Sequence, residues 1–110
     1  MKGEVSEAPL GAMGTRVLFE DDRVRIWELA LAPGEETAPH RHDRDYYIIV
    51  VDGDAIAAVP HVTSTGESAE YIAVEGCRRG DVVPMKAGGI ELARNIGKKP
   101  FYEILVELKK

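Results

Sequence analysis

The chain has 110 residues, of which 45% are hydrophobic and 30% charged, and it carries a formal net charge of −5. That length supports one hydrophobic core and hence one domain, with the composition of an ordinary globular protein. The acidic balance, with no basic block to offset it, argues against nucleic acid as the main partner. No apolar run approaches the ~20 residues that span a bilayer, so no membrane partner is expected.

The opening segment, MKGEVSEAPLGAMG, is small, polar and glycine-bearing, with one Lys, two Glu and no apolar stretch. It reads as a flexible arm over residues 1–14, or as a strand lent to a neighbour, rather than as a signal peptide. The folded domain is expected over residues 15–110. Strands are predicted in TRVLFE and, after the turn at Asp21-Asp22, in RVRIWELAL. There Val24 and Ile26 lie on one face and Trp27, Leu29 and Leu31 on the other. APGEE breaks that pattern. YYIIVV is a continuous apolar run ended by the turn DGD, and AIAAV follows. STGES reads as a hairpin turn into AEYIAV, and EGCRRGD turns again before the short VVPM. GGIELARNIG contains a strand, and the last one, FYEILVEL, carries Tyr102, Ile104, Val106 and Leu108 on one face. Short strands at regular spacing, punctuated by Gly and Pro and without a helical period, indicate an antiparallel barrel or sandwich. The single cysteine, Cys77, excludes an internal disulfide framework and reads as an incidental loop residue beside the turn pair Arg78-Arg79. These features together lead to the expectation of a cytoplasmic protein.

Two clusters carry the functional signal. Gly34 is followed after five residues by His40-Arg41-His42, and Gly53 comes later. Further on, Gly80, Gly88 and Asn95 surround the segment that holds Met85, Lys86 and Glu91. In these positions the chain resembles the cupin superfamily, small barrels defined by two short motifs, and the likeness spans roughly Arg23 to Leu108. The resemblance implies an all-β cupin jelly-roll barrel with few or no helices. Together with exposed edge strands and apolar faces, it also implies a homodimer. The departures from the pattern bear on function. Tyr46 (or Tyr47, if four residues intervene) stands where the first motif has Glu. Glu91 stands where the second has His, and Lys86 where it has Pro. Asp45-Tyr46 after the histidine pair is similar to a subgroup of small cupins associated with β-alanine degradation.

His40 and His42 are two apart, so in a strand both imidazoles point to one face and can meet one ion. In the cupin register Glu91 joins them, and a buried carboxylate needs a partner or a cation. One reading is a two-His-one-carboxylate set that holds Fe, Mn, Ni or Zn as a divalent ion and leaves positions for substrate. A second is metal-free, with Glu91 helping to keep one imidazole protonated. A third leaves Glu91 solvated at the barrel mouth. Tyr46 is a poor metal ligand near neutral pH and is expected to orient substrate, to hydrogen-bond a histidine or to line the barrel. Asp43 and Asp45 read as solvated loop acids. Met85 and Lys86 are candidate substrate contacts, Lys86 for an anionic group. Trp27 is expected in the core or a dimer interface, and His61 at the surface. Two functions stay open: a divalent-metal-dependent enzyme acting on a small metabolite (dioxygenase, isomerase or lyase), with Glu91 and Tyr46 catalytic, and a non-catalytic cupin that binds a small ligand after losing the full metal set.

Overall fold

The computed structural model describes residues 5–64 and 70–109. Apart from Ser64, the STGES turn lies outside them. Nine strands form, and no helix occurs among the described residues: β1 (Arg16–Glu20), β2 (Val24–Leu31), β3 (His40–Arg41), β4 (Tyr46–Asp52), β5 (Ala55–Pro60), β6 (Ile72–Glu75), β7 (Val82–Met85), β8 (Ile90–Asn95) and β9 (Phe101–Leu108). They build two antiparallel sheets, ordered β1-β2-β9-β4-β7 and β3-β8-β5-β6. The strands follow the β-branched and aromatic runs of the sequence, which pack well on a pleated surface. The two-residue β3 was not expected as a strand, because its composition is that of a polar loop. Pairing with β8 sets it in place, with His40 opposite Glu91.

Alternation selects the inward faces. Leu29 and Leu31 of β2, Tyr46 of β4 and Leu105 of β9 form a buried cluster with Met13. Each such side chain contributes about 1.5–3 kcal/mol relative to an exposed one. On β9 the buried residues are Phe101, Glu103 and Leu105, while Tyr102, Ile104, Val106 and Leu108 are only half-buried. The more uniformly apolar face of the last strand is thus not the one turned to the core.

The first fourteen residues are less separate from the barrel than expected. Ser6 N donates to Pro60 O at 2.8 Å, Val62 N donates to Ser6 O at 2.8 Å, and Gly11 N donates to Pro39 O at 2.7 Å. Met13 is 6% exposed and belongs to the core cluster. A segment poor in apolar residues shows no periodicity, yet its backbone groups still pair with the barrel.

The two motif regions meet at Asn95. Gly34 N donates to Asn95 O and Asn95 N to Glu35 O, both at 2.9 Å. The buried Asn95 side chain donates to Leu31 O at 3.0 Å and to Lys99 O at 2.8 Å, and accepts from Gly97 N at 2.9 Å. It thereby pins the end of β2 to the β8–β9 turn. At the β4–β5 turn Gly53 has φ 117°, a region L side chains avoid. A Cβ there would strike the ring of Phe101 and lie 2.9 Å from its Cα. Only glycine lets this turn close over the buried Phe101.

Replacing Asn95 by Ala removes the partner of three backbone groups, Leu31 O in the interior and Lys99 O and Gly97 N in the partly buried turn. Asn95→Ala is expected to cost on the order of 3 kcal/mol, read as a lower urea midpoint at unchanged m-value.

Candidate functional site

The two sheets enclose a cavity of about 350 Å³. Its walls are apolar, with Leu29, Ile48, Ile56, Met85 and Leu105 among them. At one end stand His40, His42, Tyr46 and Glu91; Glu103 lines it further along β9, with Cys77 and Asp81. Glu103 pairs across β4 with Val50, whereas Tyr46 pairs with Glu107. Four residues of strand separate the two levels, roughly 13 Å. Ile72 and Val74 on β6 and Val83 on β7 line the cavity while staying 51%, 46% and 39% exposed. The cavity therefore opens between those two edge strands.

The histidine end is tightly packed. His40 is 5% and His42 3% exposed, and their rings meet edge to face with centroids 4.5 Å apart. Tyr46 stacks on His42 at 4.3 Å, with its hydroxyl 3.1 Å from His42 Nε2. Glu91 Oε2 lies 3.6 Å from the same nitrogen. His40 Nδ1 is 3.0 Å from Ala38 O. A carbonyl only accepts, so Nδ1 carries the hydrogen and Nε2 is left as a lone pair in a neutral ring. His42 Nδ1 is buried with no hydrogen-bond partner.

Burial, seconded by His40, holds the His42 imidazole down at about 3. Burial also lowers His40, against the raising effect of the Ala38 carbonyl and Glu107. It raises the Glu91 carboxyl and, together with Glu91 and Glu103, the Tyr46 phenol. Burial thus favours neutral imidazoles, the reverse of what the alternative in which Glu91 keeps one protonated requires. Desolvation outweighs a carboxylate that stands beyond hydrogen-bond reach of the ring.

The other expected site residues divide by geometry. Met85 lines the cavity and pairs with Tyr46 across β4 and β7. Lys86 is exposed and is not part of the cavity wall, which corrects its expected role as a ligand contact. With Met85 facing inward, the next residue turns outward. Asp43 and Asp45 lie by a separate surface depression, where Asp45 accepts from Ala87 N at 2.9 Å. Trp27 packs against the core cluster and donates to Glu107 at 3.1 Å. His61 contacts Ala8 O at 3.1 Å and helps hold the N-terminal segment. Cys77 lines the cavity, and burial, Asp81 and Glu103 push its thiol up, away from nucleophilic use. Glu103 was absent from the sequence reading. It is 4% exposed, and no hydrogen bond reaches its carboxyl among the described residues. Burial pushes it up to about 8.

Comparison with solved structures shows how widely this fold recurs. A cupin domain from Bordetella pertussis Tohama I is similar over 96% of this chain and 100% of its own, at 24% identity and a TM-score of 0.72. The chain has the cupin fold. A double-stranded β-helix protein from Klebsiella pneumoniae matches 94% of this cupin barrel and 83% of its own chain, at 22% identity and a TM-score of 0.66. An RmlC-like cupin family protein from Methanocaldococcus jannaschii matches 89% and 93%, at 15% identity and a TM-score of 0.62. No family model matches the sequence, and no curated protein does.

The cupin resemblance led to the expectation of a divalent ion at His40, His42 and Glu91, and the donors there bear directly on it. Among the described residues no group of three or more His, Cys, Asp or Glu side chains is arranged to hold a metal ion. The Tyr46 hydroxyl is in hydrogen-bond contact with His42 Nε2, and Glu91 stands 3.6 Å from the same nitrogen. As they stand, His40, His42 and Glu91 do not fit a resident metal. Nor is any helix among the described residues long and apolar enough to cross a membrane.

The buried groups set opposing pH dependences. Glu103 has a folded value of about 8 against a usual 4.5, so its contribution to stability is lost as pH rises between them. His42, at about 3 against 6.5, acts in the opposite sense, and stability is lost as pH falls through that range. Between about pH 6.5 and 8 only the carboxyl effect operates, at roughly 1.4 kcal/mol per pH unit. Urea denaturation of the wild type is expected to show falling stability across that window, and Glu103→Gln to remove most of the slope. An unchanged slope in the variant would assign the titration elsewhere.

Proposed function

We propose that this cupin barrel is a metal-independent binding pocket for a small, largely apolar molecule with a polar group received by His40, His42, Tyr46 and Glu91. One observation carries the reading. The Tyr46 hydroxyl occupies His42 Nε2, so the polar groups form a mutual cluster facing an apolar cavity instead of converging on an ion. A volume of about 350 Å³ suits a ligand of modest size. The lone pair of His40 Nε2 accepts a hydrogen bond from the ligand, and the Tyr46 hydroxyl and Glu91 supply further polar contacts. The slot between β6 and β7 admits it.

The ligand's metabolic setting rests on resemblance alone. The Asp45-Tyr46 likeness to cupins associated with β-alanine degradation concerns residues of which only Tyr46 reaches the cavity.

Elemental analysis of untagged protein is expected to show no stoichiometric Fe, Mn, Ni or Zn, with thermal stability unaffected by EDTA. Stoichiometric metal that vanishes in His42→Ala would overturn the metal-free reading and favour the divalent-metal enzyme. By calorimetry, n-hexanol is expected to bind the wild type, and Tyr46→Phe to weaken it about 5- to 10-fold through loss of one hydrogen bond.

A second copy of the chain is the proposed macromolecular partner. Edge strand β1 leaves Val17, Leu18 and Phe19 exposed at 41%, 39% and 52%, apolar surface that self-pairing would cover. Light scattering is expected to report a dimer, and Phe19→Lys to shift it to monomer.

A further inference from the structure

Glu103 sits at an inward position of β9 between two buried hydrophobic residues, Phe101 and Leu105. Its neighbours across the sheet are Leu29 on β2 and Val50 on β4. Nothing in the fold requires an acid there. A carboxyl in such a place without a hydrogen-bond partner is costly whether or not it carries its proton. The cavity wall also holds Glu91 and Asp81 but, among the described residues, no Lys or Arg. Asp81 is engaged by Arg78 N at 2.9 Å, and Glu91 stands by His42. Both histidines are neutral, which leaves Glu103 facing the cavity with no cation to answer it.

Acids without bases around an apolar space are complementary to one kind of guest. We propose that the cavity takes an amine ligand, with its ammonium group paired to Glu103 and its apolar body directed towards the histidine end. This deepens the binding function proposed above and rests on it. The roughly 13 Å between the two levels accommodates an extended chain of about six carbons, with room for a hydrogen-bonding group at its far end near Tyr46 and His40. An anionic ligand would meet three carboxyl groups and is excluded on the same grounds.

The probes are n-hexylamine, n-hexanol and hexanoate, titrated calorimetrically into wild type, Glu103→Gln and Glu103→Leu at about pH 8.5, where the carboxyl is largely ionised. The wild type is expected to bind hexylammonium at least about 10-fold more tightly than hexanol, because a desolvated charge pair is worth more than a neutral contact. It is expected to reject hexanoate. Both variants, checked for folding by their melting curves, should lose the preference for the amine while keeping affinity for hexanol. If hexanol binds and the amine binds no tighter, or if the preference survives in both variants, the ammonium site is wrong and the binding pocket stands. If neither probe binds the folded wild type, both fall.

Discussion

The governing constraint in this molecule is the removal of ionisable side chains from water without charged partners to accompany them. His40, His42, Glu91 and Glu103 all line one cavity, and every one is shifted towards its neutral form by burial. A barrel that packed only for stability would fill these positions with aliphatic side chains, as buried ionic groups are commonly no better than well-packed apolar replacements. Retaining them costs free energy that the surrounding β-framework must offset. Groups held at such a cost and aimed into a cavity are the usual mark of a binding or reaction site.

Strand register delivers these groups to the same space. β3 has only two residues, yet its pairing with β8 brings His40 opposite Glu91. The stack of Tyr46 on His42 follows because β4 begins at Tyr46, directly after the loop. Asn95 holds the opposite end closed by bonding to three backbone groups, one at the end of β2 and two in the β8–β9 turn. Motif positions that look equivalent in the sequence thus divide into two kinds of work. The asparagine is structural, and the histidines and Glu91 face the cavity.

Much of the fold was legible because side-chain alternation and turn chemistry are local signals. VVPM and FYEILVEL appear as strands at the expected residues, and Gly53 marks the turn its φ requires. The histidine pair was read from its spacing together with the cupin resemblance, and Glu91 from that resemblance. Glu103 was not, for a definite reason. In FYEILVEL the alternate residues Tyr102, Ile104, Val106 and Leu108 make the more uniform apolar set, so an acid between them reads as solvent-facing. The barrel buries the other set, Phe101, Glu103 and Leu105. Pattern reasoning fails where a site breaks the rule that apolar residues go inward. Cys77 was hidden in the same way, in a charged turn whose chain folds back onto the cavity wall. Lys86 was read from its place beside the motif glycines, and such nearness says nothing about which side of the backbone a side chain occupies.

The opening between β6 and β7 lies along two sheet margins that share no hydrogen-bond ladder with each other. Its frame is made of branched aliphatic side chains, so a guest can pass by rotation about χ1 of Ile72, Val74 and Val83 without any ladder bond breaking. Such rotations at exposed residues take picoseconds to nanoseconds. Exchange of the proposed ligand would thereby be uncoupled from the opening of the scaffold, with the ladder hydrogen bonds left in place.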